Sequence, residues 1–84
     1  MPQITLYTTD FCPYCVRAKQ LLDRRQLPYE EINLARDPDG RAQLMERTGM
    51  MTFPQILIDG EPIGGFDQLA EAERSGRLDE LLAA

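Results

Sequence analysis

The first 34 residues of the chain show two patterns of apolar and polar positions, one typical of strands and one typical of a helix. Residues 3–8 contain an apolar run typical of a strand, and residues 29–34 alternate with the period of a strand. Between them, from Pro13 to about Gln26, apolar residues recur at intervals of three and four, which is typical of an amphipathic helix. A strand, a helix and a second strand in succession predict a βαβ unit, in which the two strands lie parallel.

The middle of the chain predicts a second helix and then an antiparallel hairpin. Asp37-Pro38 is typical of a helix start, because aspartate caps the helix and proline suits its first turn, and Gly49 marks the helix end. An apolar run at 55–58 predicts a third strand. Asp59-Gly60 favours a two-residue turn into a short fourth strand near 62–63.

A third helix is predicted to be capped by Asp67 and to end near Ser75, with a further turn or two at 78–82. The complete order is β-α-β-α-β-β-α. It predicts an α/β fold with a four-stranded mixed sheet and helices on both faces. The chain contains no repeat, low-complexity segment or long linker, so we expect residues 1–84 to form a single domain.

Composition excludes several classes of function. The net charge is −5, with nine basic residues against fourteen acidic ones, which argues against nucleic acid as a general partner. The absence of histidine excludes Cys–His proteases and histidine-bridged zinc sites, and two cysteines are too few for a zinc site built from thiolates alone. No signal-like segment or membrane-length apolar run is present, so we expect a cytoplasmic protein.

The two cysteines lie in the segment Cys12-Pro13-Tyr14-Cys15, at the junction of the first strand and the first helix. Free N–H groups and the positive end of the helix dipole stabilise a thiolate there, and the thiolate is the nucleophile. Cys15 lies one turn further on the same side. A disulfide across so short a loop restricts little of the unfolded chain, which disfavours a purely structural pair. The segment therefore predicts thiol–disulfide exchange, with Cys12 as nucleophile and Cys15 as the resolving thiol.

Two later segments have the residues of a ligand site. A cis peptide bond between Phe53 and Pro54 would expose the backbone of Phe53 to an extended peptide, whereas a trans bond would make Pro54 an ordinary proline at the start of a strand. Gly64-Gly65 permits close backbone approach, the helix start after it suits a carboxylate, and Asp67 suits an ammonium group. The alternative is a hairpin end followed by a routine helix cap.

Taken together, Cys12-Pro13-Tyr14-Cys15, Thr52-Phe53-Pro54-Gln55 and Gly64-Gly65-Phe66-Asp67 resemble the small bacterial dithiol glutaredoxins, over essentially the whole chain. The resemblance implies a thioredoxin-like fold and a glutathione-dependent thiol–disulfide oxidoreductase. Its expected substrates are disulfide-containing and glutathionylated proteins. Glutathione would be the co-substrate, with no cofactor and no metal, and the protein would be a monomer without membrane or nucleic-acid partners.

The resemblance also assigns residues to the glutathione site. The cysteinyl part of glutathione would pair with the backbone of Phe53, and the γ-glutamyl end would lie at Gly65, Phe66 and Asp67. Tyr14 would line the site. The full set implied is Tyr14, Thr52, Phe53, Pro54, Gly65, Phe66 and Asp67.

Several positions depart from the family pattern. Many members carry a lysine shortly before the first cysteine, where this chain has the segment 8–11, and Arg17 and Arg47 are the candidate replacements. Asp10 adds a negative charge near the nucleophile, which disfavours the thiolate. Phe11 either contacts substrate or packs into the core. Met50-Met51 stands where arginine or glutamine is frequent, and packing is favoured over a metal site there; Gln68 replaces a second aspartate.

Two other functions fit parts of the sequence. One is a redoxin reduced by a flavoprotein reductase, which the missing lysine favours and the segment 64–67 disfavours. The other is a dimeric module that binds a [2Fe–2S] cluster through Cys12 and glutathione. The stiff Pro13 beside the ligating thiol disfavours this module.

Overall fold

A computed structural model of the protein describes residues 2–83, so the termini of the predicted domain, Met1 and Ala84, lie outside the described residues. The predicted order of strands and helices is confirmed, with the last turns forming a separate short helix. The strands are β1 (Ile4–Thr8), β2 (Tyr29–Asn33), β3 (Gln55–Ile58) and β4 (Glu61–Gly64). The helices are α1 (Pro13–Arg24), α2 (Pro38–Thr48), α3 (Phe66–Ser75) and α4 (Arg77–Leu82).

The four strands form one mixed sheet in the order β2-β1-β3-β4. β1 runs parallel to β2 and antiparallel to β3, with Leu6 opposite Ile56. β3 and β4 form the predicted antiparallel hairpin. Asp59 and Gly60 both have positive φ, as the tight turn between twisted strands requires.

This topology brings three loops to the same edge of the sheet. β1 ends where β3 begins, because the two strands are antiparallel and Tyr7 lies opposite Gln55. β4 ends at the same edge, since Gly64 lies opposite Ile56. The loop after β1, the loop before β3 and the loop after β4 are therefore neighbours, although they are far apart in sequence.

The sheet is covered by helices on both faces, as predicted. Ile56 and Ile58 belong to a core cluster between the sheet and the helices α1, α3 and α4. Leu57 alternates to the opposite face, where it is also buried, and α2 contributes the buried Leu44. The main cluster consists of Ile4, Leu6, Ala18, Leu21, Leu22, Ile56, Ile58, Leu69, Ala72 and Leu78. None of the helices within residues 2–83 is long and apolar enough to cross a membrane.

The two helices that flank the hairpin begin in different ways. Asp37 caps α2 as predicted, because its carboxylate accepts a hydrogen bond from the Gly40 N–H at 2.9 Å. The prediction that Asp67 caps α3 is wrong, since the residue at the cap is Gly65. The side-chain carbonyl of Gln68 accepts a hydrogen bond from the Gly65 N–H at 2.9 Å, so a residue inside the helix completes the cap. Asp67 lies in the first turn, beside the positive end of the helix dipole.

Candidate active site

Cys12 and Cys15 form a disulfide at the start of α1, with their Cα atoms 5.2 Å apart. Cys12 is the residue that caps α1, and its Sγ accepts a hydrogen bond from the Cys15 N–H at 3.1 Å. Cys12 is half-buried, whereas Cys15 is only 2% exposed. Of the two cysteines, Cys12 is therefore the one that combines access to solvent with the helix N-terminus.

The backbone of Phe53 lies directly beside the reactive sulfur. The Sγ of Cys12 is 3.7 Å from the carbonyl oxygen of Phe53. In the disulfide this is a contact, because Sγ carries no proton; the reduced thiol has a weak donor for the same carbonyl. The peptide bond between Phe53 and Pro54 is cis, and Pro54 is buried. No hydrogen bond within residues 2–83 engages the N–H of Phe53, which leaves it free for an incoming peptide.

A cavity of about 530 Å³ opens beside this backbone, between the start of α1, the loop before β3 and the start of α3. Its volume is in the range of small-molecule sites. We call it the main cavity. The residues named from the sequence for glutathione all line it: Tyr14, Thr52, Phe53, Pro54, Gly65, Phe66 and Asp67. Met50, Gly64 and Gln68 complete the lining, and these three are not in the set that the sequence implied for glutathione.

Two aromatic rings line the main cavity, and a guanidinium packs over one of them. The ring centroids of Tyr14 and Phe66 are 6.0 Å apart, with the rings tilted relative to each other. The guanidinium of Arg17 lies 5.2 Å from the centroid of the Tyr14 ring, a cation–π distance. Arg17 is therefore held against a residue of the main cavity, although neither Arg17 nor Arg47, the other candidate cation, is among the residues that line it.

The charge of Asp10, which was expected to disfavour a Cys12 thiolate, has partners. Its carboxylate accepts a hydrogen bond from the side-chain amide of Asn33 at 3.1 Å and pairs with Arg36 at 3.1 Å. Arg36 is largely exposed, so this pair is weak and screened by salt. Part of the repulsion between Asp10 and a thiolate is nevertheless offset.

Comparison with known proteins agrees with this geometry. A family model described as Glutaredoxin matches residues 4–63. A glutaredoxin from Pseudomonas aeruginosa is 48% identical over 84 residues, which is 100% of both chains. Glutaredoxin 3 of Escherichia coli K12 is 39% identical over 82 residues, covering 98% of this chain and 99% of its own. The chain belongs to the glutaredoxin family.

The fold agrees with this membership. The crystal structure of a buckwheat glutaredoxin–glutathione complex matches with a TM-score of 0.88 and 34% identity, covering 98% of this chain and 77% of the buckwheat chain. The thioredoxin-like fold expected from the sequence is confirmed. As a glutaredoxin with two cysteines placed to form a disulfide, the protein is a thiol–disulfide oxidoreductase.

Sequence reasoning missed the role of Gln55 in this glutaredoxin. Its side chain is 1% exposed, and its amide donates a hydrogen bond to the Met50 carbonyl at 3.0 Å. Its carbonyl oxygen lies 2.9 Å from the hydroxyl of Thr48, at the end of α2. Gln55 therefore ties the loop that lines the main cavity to α2 and β3. The available signal was a lone polar residue in a buried strand, since buried polar groups have partners.

Alkylation should distinguish the two cysteines of the reduced protein. We expect iodoacetamide to modify Cys12 at least about tenfold faster than Cys15 near neutral pH, because the helix N-terminus stabilises the thiolate and Cys15 is buried. Peptide mass mapping after timed quenching measures both rates. Cys12→Ser and Cys15→Ser, each with one thiol left, calibrate them. Faster modification of Cys15 would contradict the assignment of the nucleophile.

Proposed function

We propose that this chain reduces protein disulfides and glutathione mixed disulfides with glutathione as its co-substrate, and that it needs no resident cofactor or metal. The observation that carries the proposal is the main cavity beside Cys12, because the residues implied for glutathione come from three separate loops and meet there. The match to the buckwheat glutaredoxin–glutathione complex supports the same ligand.

The proposed binding mode follows from the groups at each end of the cavity. The cysteinyl part of glutathione pairs with the free N–H and the carbonyl of Phe53, which holds its sulfur near Sγ of Cys12. The γ-glutamyl carboxylate accepts hydrogen bonds from the N–H groups of Phe66 and Asp67, and its ammonium pairs with the Asp67 carboxylate. The Gly65 N–H already donates to Gln68, so Gly65 lines this site without donating its N–H to glutathione.

Reduction of a protein disulfide begins with attack by the Cys12 thiolate on one target sulfur. The target disulfide breaks, the second target sulfur leaves as a thiolate and is protonated, and a mixed disulfide joins Cys12 to the target. Cys15 then loses its proton and attacks Sγ of Cys12. The remaining target sulfur leaves, so the target gains two electrons and the protein keeps the disulfide between Cys12 and Cys15.

Two molecules of glutathione restore the dithiol. The first attacks Sγ of Cys12, which releases the Cys15 thiol and leaves glutathione joined to Cys12. The second attacks the sulfur of that bound glutathione, so that glutathione disulfide leaves and the Cys12 thiolate returns. With a glutathionylated protein, the Cys12 thiolate attacks the glutathione sulfur, the protein sulfur leaves as a thiolate and is protonated, and glutathione stays joined to Cys12. A further glutathione then completes the cycle as above, so this route does not need Cys15.

The proposal extends to the setting of the reaction. We propose a single-domain monomer that acts in the cytoplasm on disulfide-containing and glutathionylated proteins. A cytoplasmic pool of reduced glutathione provides the electrons that the cycle consumes.

A coupled assay tests the choice of reductant. The substrate is the mixed disulfide of glutathione and 2-mercaptoethanol, and the readout is NADPH oxidation. We expect turnover with glutathione and glutathione reductase and none with a thioredoxin-type flavoprotein reductase alone. Equal rates with the flavoprotein reductase would contradict the proposal in favour of a redoxin of that kind. A brown colour with visible absorbance after anaerobic purification would instead support the cluster-binding module.

Restoring a cation near the nucleophile should raise the activity. Thr9 lies three residues before Cys12 and lines a groove beside it, so a lysine there places its ammonium close to Sγ. We expect Thr9→Lys to lower the pKa of Cys12 by roughly one unit and to speed the first step, with a gain that shrinks as salt is added. Rates of iodoacetamide alkylation against pH measure the pKa.

Thr9→Gln is the matched control, because it adds length without charge. If Thr9→Lys changes neither the pKa nor the rate, the idea that a cation is missing is wrong. Arg17, whose guanidinium packs over the Tyr14 ring, would then be the residue to replace next.

A further inference from the structure

A second depression, of about 560 Å³, lies beside the disulfide and shares no lining residue with the main cavity. We call it the side groove. It contains both cysteines and runs along the start of α1 towards β2. Its lining includes Phe11, Cys12, Cys15, Val16, Lys19 and Glu31. The mechanism above uses the two cysteines but gives the rest of this groove no role.

Phe11 is held in an unusual position at the edge of the side groove. Its side chain is fully exposed, at 102% relative exposure, so the alternative that it packs into the core is wrong. Its φ is +55°, a left-handed conformation that is uncommon and costly for a bulky residue. Packing within residues 2–83 explains neither feature. Backbone strain of this kind clusters at functional sites.

Exposed apolar side chains gather around the reactive disulfide. Phe11 precedes Cys12 directly, and Val16 follows Cys15 directly with 48% exposure. The opposite end of the groove is polar, because Lys19 and Glu31 form an ion pair there at 3.3 Å. The exposed large hydrophobic residues of the described chain are Phe11, Tyr14, Val16, Met45 and Met51. Three of these five flank the two cysteines, which is the pattern of a docking surface.

The geometry of thiol–disulfide exchange indicates which substrate contacts which of the two depressions. A thiolate attacks a disulfide sulfur in line with the leaving sulfur, so any partner of Cys12 places its sulfur opposite Cys15. Glutathione is a tripeptide, and the proposed binding mode places its cysteinyl and γ-glutamyl groups in the main cavity. In a protein substrate, the polypeptide continues on both sides of the reacting cysteine. The main cavity provides a binding surface for the polypeptide on one side of that cysteine and none for the polypeptide on the other side.

We infer that the side groove binds the polypeptide beside the target cysteine in a protein substrate. Phe11 and Val16 contact an apolar side chain next to that cysteine, and the chain continues towards Lys19 and Glu31. The groove is continuous with the point of covalent attachment, since Cys12 is part of its lining. This inference rests on the proposed function and adds to it a surface that distinguishes protein substrates from glutathione.

Two cyclic disulfide peptides test the inference. They have the same sequence except that leucines flank the cysteines in one and serines flank them in the other. The third substrate is the mixed disulfide of glutathione and 2-mercaptoethanol, and all three are assayed with glutathione and glutathione reductase. The variants are Phe11→Asn, because asparagine tolerates a positive φ, and Val16→Thr, which keeps the shape of the side chain. Met45→Gln, on exposed α2 surface outside the side groove, is the control.

We expect each of the two variants to lower kcat/KM for the leucine peptide by about fivefold to tenfold. The serine peptide and the glutathione mixed disulfide should change by less than about twofold, and Met45→Gln should match the parent protein. Equal losses on both peptides, or no loss on the leucine peptide, would overturn the inference. Failure of the parent protein to turn over the glutathione mixed disulfide would overturn the proposed function, and the inference with it.

Discussion

Cys15→Ser is expected to abolish most reduction of protein disulfides by this glutaredoxin while leaving its turnover of a glutathione mixed disulfide nearly unchanged. Reduction of a protein disulfide should fall by at least about 100-fold, because an internal thiol attacks at an effective concentration far above that of free glutathione. Turnover of the glutathione mixed disulfide should stay within about threefold of the parent, since Cys12 alone carries out that cycle. Initial rates of the variant and the parent protein on the two substrates, with the same glutathione and glutathione reductase, measure the two effects.

Cys12→Ser is the matched control, because it removes the half-buried nucleophilic sulfur and leaves the buried one. Both reactions should then fall to background. If Cys15→Ser loses both activities as well, Cys15 has a role beyond resolution. If it keeps both, glutathione rather than Cys15 releases the protein substrate.

Gln55→Met is expected to reduce both stability and glutathione binding. Methionine has a similar volume but makes neither hydrogen bond of the buried amide, so the Met50 carbonyl loses its donor. We expect a loss of about 2–4 kcal/mol in the free energy of unfolding, measured by urea denaturation of the reduced protein. KM for glutathione should rise severalfold, because the loop that carries Phe53 is no longer tied to β3 and α2.

Leu57→Met, two positions along the same strand and equally buried, controls for repacking. It should cost less than about 1.5 kcal/mol and leave KM unchanged. A Gln55→Met protein with lowered stability but an unchanged KM would show that Gln55 supports the fold without positioning the site.

The structural elements that could be predicted from the sequence are those whose determinants lie within a few neighbouring residues. The turn at Asp59-Gly60 and the cap at Asp37 depend on backbone preferences and one local hydrogen bond, and both are as predicted. The start of α3 was predicted two residues late, because Asp67 is a good capping residue by type. Gln68 completes the cap at Gly65 from inside the helix, and residue type alone does not indicate that arrangement.

The candidate site likewise has features that depend on neighbouring residues and features that depend on the arrangement of the strands. Cys12 at a helix start follows from the strand–helix junction, but the meeting of its loop with Phe53 and Gly65 depends on strand order. The resemblance to a family implied that meeting, and the antiparallel pairing of β3 with β1 and β4 accounts for it. The exposure of Phe11 was not predictable, since it depends on one backbone angle.

The most direct test of the central claim is a crystal structure of Cys15→Ser joined to glutathione through a disulfide. The account predicts glutathione on Cys12, with its cysteinyl backbone paired to Phe53 and its γ-glutamyl end at the N–H groups of Phe66 and Asp67. The side groove should be left unoccupied by it. Glutathione attached to Cys12 but lying outside the main cavity, or failure of the adduct to form with glutathione disulfide, would contradict the account.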